Sequence, residues 1–182
     1  MDSISMGKNR GFNVKYQSTK TYGNERGLSC CFRQWKANSH CKYLHGYSLG
    51  FRFIFETDQL DERNWVYDFG GCGWIKTFLE QTFDHKLLID KNDPDIEHIY
   101  KIHDENMAQV LTMDGVGCEK FAEYVYNYVA PKIIEETKGR VNLKRVEVFE
   151  HGSNSASYNY GDWKVRNIFN DGADNEDFNE SQ

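Results

Sequence analysis

The residues best equipped for chemistry in this chain fall in one run, Ser39-His40-Cys41-Lys42-Tyr43-Leu44-His45-Gly46-Tyr47. Cys41 as a thiolate accepts a proton, and a protonated His40 or another nearby cation would lower its pKa. Asp84 and His85 are a second candidate, since a carboxylate beside an imidazole orients it and stabilises its charged form; taken alone, the pair also reads as a helix-ending turn. Glu150 closes the alternating run Val146-Glu147-Val148-Phe149-Glu150, which draws its carboxylate towards the apolar side. Glu119 stands in the first turn of an expected helix, where a negative charge also simply favours the helix dipole. The five cysteines, Cys30, Cys31, Cys41, Cys72 and Cys118, lack the spacing of a zinc finger or a disulfide scaffold. Cys41 stands apart because His40 and His45 share its segment; the others read as small buried hydrophobes.

These residues need elements to position them. From Tyr47 to Phe55 every odd residue is apolar, a period of two that predicts a half-buried strand over 47–56 with His45 and Tyr47 on its core-facing side. Further strands are expected at Phe12–Tyr16, Leu28–Trp35, Trp65–Phe69, Asn142–Glu150 and Ser155–Tyr160, the last pairing back after the Gly152-Ser153-Asn154 turn. Apolar residues at spacings of three and four predict helices over 73–82 and from Cys118 to Pro131, with a further turn towards Thr137. Ile96–Leu111 reads as one irregular helix. The order predicts a single α+β domain over 12–168, in which two helices lie on one face of a four-stranded antiparallel sheet. Residues 1–11 read as a loose terminus and 169–182 as an acidic, disordered tail.

Composition narrows the function. A chain of 182 residues with 15% aromatic content holds one core rich in Phe and Tyr. A formal net charge of -6 and no basic stripe argue against nonspecific nucleic-acid or membrane-surface binding. With no signal-peptide core and no run of about 20 apolar residues, a cytoplasmic protein is expected.

Five islands, in order, resemble the 6-pyruvoyl-tetrahydropterin synthase and 6-carboxytetrahydropterin synthase family. They are Cys41 to Tyr47, Trp65-Val66-Tyr67-Asp68-Phe69, Phe83-Asp84-His85-Lys86-Leu87-Leu88, Gly117-Cys118-Glu119, and Val146 to Glu150. The resemblance implies a T-fold (tunnelling fold) whose sheets join into an oligomeric barrel, a homo-oligomer such as a hexamer or tetramer. It implies a lyase acting on 7,8-dihydroneopterin triphosphate, a small-molecule pterin substrate, with the carboxy product of deazapurine (queuosine-type) biosynthesis favoured. Matched one position at a time, Cys41 is the catalytic thiol, Asp84 and His85 the acid-base pair, Glu150 the pterin anchor and Glu119 a second substrate-side carboxylate. The site would be shared, Cys41 of one subunit facing Asp84 and His85 of another.

The family's cofactor is zinc, held by three histidines. Here His45 keeps one position, Tyr47 replaces the second, and the Phe-x-x-x-His of the preceding strand reads Phe32-Arg33-Gln34-Trp35-Lys36. His40 is the candidate to complete the set beside His45. Lys36 or Arg33 would otherwise supply positive charge, and Arg33, Lys36, Lys42 and Arg52 are the candidate triphosphate cluster. The reading from a different class is a metal-free pterin- or purine-binding oligomer of the same fold.

Overall fold

The structure, a computed structural model, describes residues 15–159. The strand expected over 47–56 is its backbone: β3 (His45–Thr57) buries Leu49, Phe51, Phe53 and Phe55 completely on one face. It pairs antiparallel with β1 (Tyr16–Tyr22) along Phe51–Thr57 and with β2 (Leu28–Phe32) along His45–Leu49. A further antiparallel partner, β6 (Asn142–His151), carries β7 (Asn154–Asn159) beyond it. The antiparallel part of the expected sheet is present, and β1 starts where the Phe12–Tyr16 strand was expected to end. Phe12, Tyr160, both expected terminal segments and the outer limits of the 12–168 domain lie outside the described residues.

The sheet is wider than expected. β4 (Lys86–Asp90) adds parallel to β2, and β5 (Gln109–Met113) parallel to β4, giving the order β5-β4-β2-β3-β6-β7 with β1 on β3. Leu87-Leu88-Ile89 is the short apolar run of a strand covered on both faces: Leu88 joins the main core, while Leu87 and Ile89 join a second cluster.

Helices α1 (Gly73–Phe83) and α3 (Cys118–Glu136) cover the main core. Helix α2 (Ile96–Asp104) packs Ile99 into the second cluster, making a third helix on the opposite face. Two expectations are corrected. The helix expected over Ile96–Leu111 stops at Asp104, because Asn106 turns the chain at φ 58 and the β-branched run that follows pairs with β4. Trp65–Phe69 forms no strand: Val66 and Tyr67 are buried without a ladder partner, and Asp68 instead caps a short 3-10 turn over Phe69–Cys72. Helix α3 continues past Pro131 to Glu136, with Thr137 as its cap, as the expected further turn required, since Val129, Ala130 and Ile133 are buried around the proline. Their burial offsets a proline cost of about 3 kcal/mol.

Candidate functional site

The segment bearing Cys41 is held by its own side chains. Arg33, just past the end of β2, places two nitrogens on Asp93 at 2.8 and 2.5 Å and a further bond on Asp95 at 2.6 Å. Trp35 Nε1 donates to Asp90 Oδ2 at 3.0 Å. Between them, the Gln34 backbone N–H donates to the Cys41 carbonyl at 2.9 Å, and its side-chain amide donates to the Val116 carbonyl at 2.6 Å. Gln34 also explains Gly117. That residue caps α3 at φ 107, and a Cβ there would collide with the Gln34 amide. Cys41 itself sits half-buried in a 3-10 turn, His40–Lys42, capped by Ser39.

Glu150 is where alternation placed it. The carboxylate reaches the Cys118 thiol at the start of α3, and burial, followed by Glu150 and Glu119, pushes that thiol up to about 12. Cys118 therefore stays protonated and is the donor to Glu150. Glu150 is also the unpaired residue between the Phe149 and His151 ladder positions of β6, and such an irregularity re-aims a side chain. Tyr47 lies beside this group: burial, then Glu150, Cys41 and Cys118, raise its hydroxyl pKa. Its ring meets those of His45, Phe32 and His151 at 5.6, 6.2 and 6.4 Å between centroids. Cys41, Tyr47, Cys118, Glu119 and Glu150 thus converge at the N-terminus of α3. Gln34 and Cys118 are the members that sequence reasoning missed, and the glycine at the start of α3, where a side chain would meet the Gln34 amide, is the signal for Gln34.

Asp84 and His85 stand elsewhere on the chain. The His85 Nδ1–H donates to Asp84 Oδ1 at 2.7 Å, which leaves Nε2 outward on a side chain 83% exposed. Its backbone sits at φ 55 with its N–H on the Ser29 carbonyl, three residues before Phe32, about 10 Å along the strand. No described contact joins the pair to Cys41.

The expected cation cluster is dispersed. Arg33 is committed to Asp93 and Asp95, and Arg52 pairs with Glu147 at 2.8 Å on the sheet face away from α1 and α3. Lys36 and Lys42 remain beside the Cys41 segment, stacked over Trp35 and Tyr43. Arg33 is thus a structural residue.

The zinc donor set also fails to assemble. Its three expected positions hold Lys36, His45 and Tyr47; His40 is exposed, and the His45 Nδ1 lies 2.7 Å from the Tyr43 carbonyl. All six histidines and all five cysteines lie within the described residues, among which no group of three His, Cys, Asp or Glu side chains could hold a metal ion. A phenol with a raised pKa is a poor anionic ligand, and one imidazole falls short of the three protein ligands of a catalytic zinc site. The residues present do not fit the metal.

The family model described as 6-pyruvoyl tetrahydropterin synthase matches residues 23–161. A 6-carboxy-5,6,7,8-tetrahydropterin synthase from Rickettsia bellii is 28% identical over 113 residues, which cover 59% of this chain and 78% of that protein. The Aquifex aeolicus protein of the same name is 24% identical over 163 residues, 80% of this chain and 98% of its own. Among solved structures, an uncharacterized protein from Wolinella succinogenes superposes with a TM-score of 0.69 at 18% identity, over 81% of this chain and 99% of that one. Plasmodium falciparum 6-pyruvoyl tetrahydropterin synthase gives 0.57 at 12% identity, over 79% and 96%. At these identities the structural likeness speaks for the fold.

Proposed function

The chain belongs to the 6-pyruvoyl tetrahydropterin synthase family, and from that premise we propose that it is a 6-carboxytetrahydropterin synthase-like lyase acting on 7,8-dihydroneopterin triphosphate. The deazapurine (queuosine-type) or pterin route is its setting, in the cytoplasm. The observation that supports this most is that Gln34 ties the Cys41 segment to the start of α3, where Glu150 lies against Cys118. Glu150 accepts paired hydrogen bonds from the guanidine-like edge of the pterin. That sets the side-chain carbon near Cys41, whose thiolate removes its proton. Glu119 is the second carboxylate on the substrate side, and Lys36 and Lys42 flank the entrance for the triphosphate.

Asp84 and His85 serve a neighbouring subunit, which explains a dyad so exposed within one chain. Among the described residues β7 has a strand partner on only one edge. An added strand there supports a barrel-forming homo-oligomer, hexamer or tetramer. No helix among the described residues is long and apolar enough to cross a membrane.

Incubating purified protein with 7,8-dihydroneopterin triphosphate and identifying the product by mass tests the reading. A carboxytetrahydropterin is expected; substrate bound but unconverted would leave a binding protein. Mixing inactive Cys41→Ala and His85→Ala proteins tests the shared site. Activity returns as subunits exchange, and its continued absence despite demonstrated exchange would place the whole site in one chain.

A further inference from the structure

We propose that this site removes the substrate proton without a bound metal, the Tyr47 hydroxyl donating the hydrogen bond that holds the oxyanion formed on the substrate side chain. The proposal rests on the tetrahydropterin reading above and adds to it the group that replaces zinc. Of the three positions that would ligate the metal, one holds a lysine, whose ammonium has no lone pair and repels a divalent cation. Another holds Tyr47, on the core-facing side of β3 between the rings of His45 and His151. Its ring lies 6.4 Å from that of His151, the residue that follows the proposed ring anchor Glu150 on β6.

The organising role of a metal is also filled. The segment carrying Lys36 and Cys41 is held by Arg33 on Asp93 and Asp95, Trp35 on Asp90, and Gln34 on the Val116 and Cys41 carbonyls. Ligation would add no order that these bonds do not supply.

The step balances without a metal. The Cys41 thiolate takes the proton from the side-chain carbon and becomes a thiol. The C–H electron pair forms a double bond to the neighbouring ring carbon, whose C=N pair moves onto the ring nitrogen; that nitrogen takes the proton of the side-chain hydroxyl, leaving an enolate oxyanion on the side chain. Tyr47 keeps its proton and donates a hydrogen bond to that oxygen throughout. Preorganised donors of this kind act where charge develops, and losing one costs roughly 10²–10³ in kcat.

The test uses the full chain in its native assembly. Zinc affinity is measured by competition with a chromogenic chelator, and turnover is measured with chelator and with added zinc. Expected are no stoichiometric zinc at micromolar concentrations, equal turnover in both conditions, and roughly a 10²–10³-fold loss of kcat in Tyr47→Phe with KM little changed. Stoichiometric zinc with turnover lost to the chelator overturns the proposal and leaves the tetrahydropterin reading standing, as does a Tyr47→Phe protein with full kcat. Wild-type protein that makes no product in either condition removes the reading and the proposal together. The zinc titration decides the metal question even if Tyr47→Phe fails to fold.

Discussion

Cys41→Ala protein is expected to turn over 7,8-dihydroneopterin triphosphate about a thousandfold more slowly than wild type while binding the pterin equally well. A positioned proton acceptor contributes roughly 10²–10⁴ to such a step, and no other thiol is placed to substitute. Cys30, Cys72 and Cys118 are buried, and their thiols are pushed up to about 12, 11 and 12, chiefly by burial, which also raises the half-buried Cys31 thiol. They stay protonated at neutral pH. Cys41 is half-buried on a short turn outside the main core, so its truncation costs little stability. Binding is retained because Glu150 and Glu119 are untouched. Steady-state kinetics alongside a pterin-fluorescence titration read the two effects separately. A variant that keeps even a tenth of wild-type kcat would move the base elsewhere.

Arg33→Leu is expected to destabilise the fold by about 3–5 kcal/mol, the cost of breaking a buried pair by removing one partner. The Asp93 side chain is 1% exposed, and the Arg33 guanidinium is its charge partner. Its loss leaves a carboxylate buried against the start of α2 with only the Asp95 backbone N–H as donor. Adding Asp93→Asn recovers part of the loss, because the orphaned charge is then gone. Acid has a related effect. Hydrogen bonds from Arg33 hold the Asp93 carboxyl below its usual range, outweighing the burial that would raise it. A depressed folded-state pKa contributes stability that is fully present above the unfolded value, about 4, and is lost as pH falls below it. Urea unfolding at pH 7 should therefore separate wild type from Arg33→Leu widely, and the gap should narrow below about pH 4. An Arg33→Leu protein as stable as wild type would show that the clamp adds nothing. With the clamp weakened, turnover falls as well, because Gln34 and Cys41 are anchored next to it.

The core strand β3, the helices α1 and α3, and the turn of Glu150 to the apolar side were all legible in the residue order. Each is a local pattern: a period of two or of about 3.6 marks which face must leave water, whatever it meets there. The resemblance carried by Cys41, Asp84, His85 and Glu150 was legible for a similar reason, since those residue types do their chemistry through their own atoms. The β4 and β5 strands were harder to read. A short apolar run such as Leu87-Leu88-Ile89 has no period to distinguish strand from helix, and only the open edge of β2 gives it a partner. Arg33 and Asp93 are 60 positions apart, and Gln34 and Val116 are 82 apart. From sequence alone, Arg33 was a candidate cation for the site and Gly117 only the start of a matching island. Their roles as a clamp and as the space for a glutamine depend on pairings that no local pattern encodes. The sequence by itself determined which faces are buried and which groups are chemically able. Only the tertiary structure decided that the Cys41 segment, Tyr47 and Glu150 lie about the start of α3 while Asp84 and His85 stand apart, because proximity across the chain comes from strand pairing and helix packing.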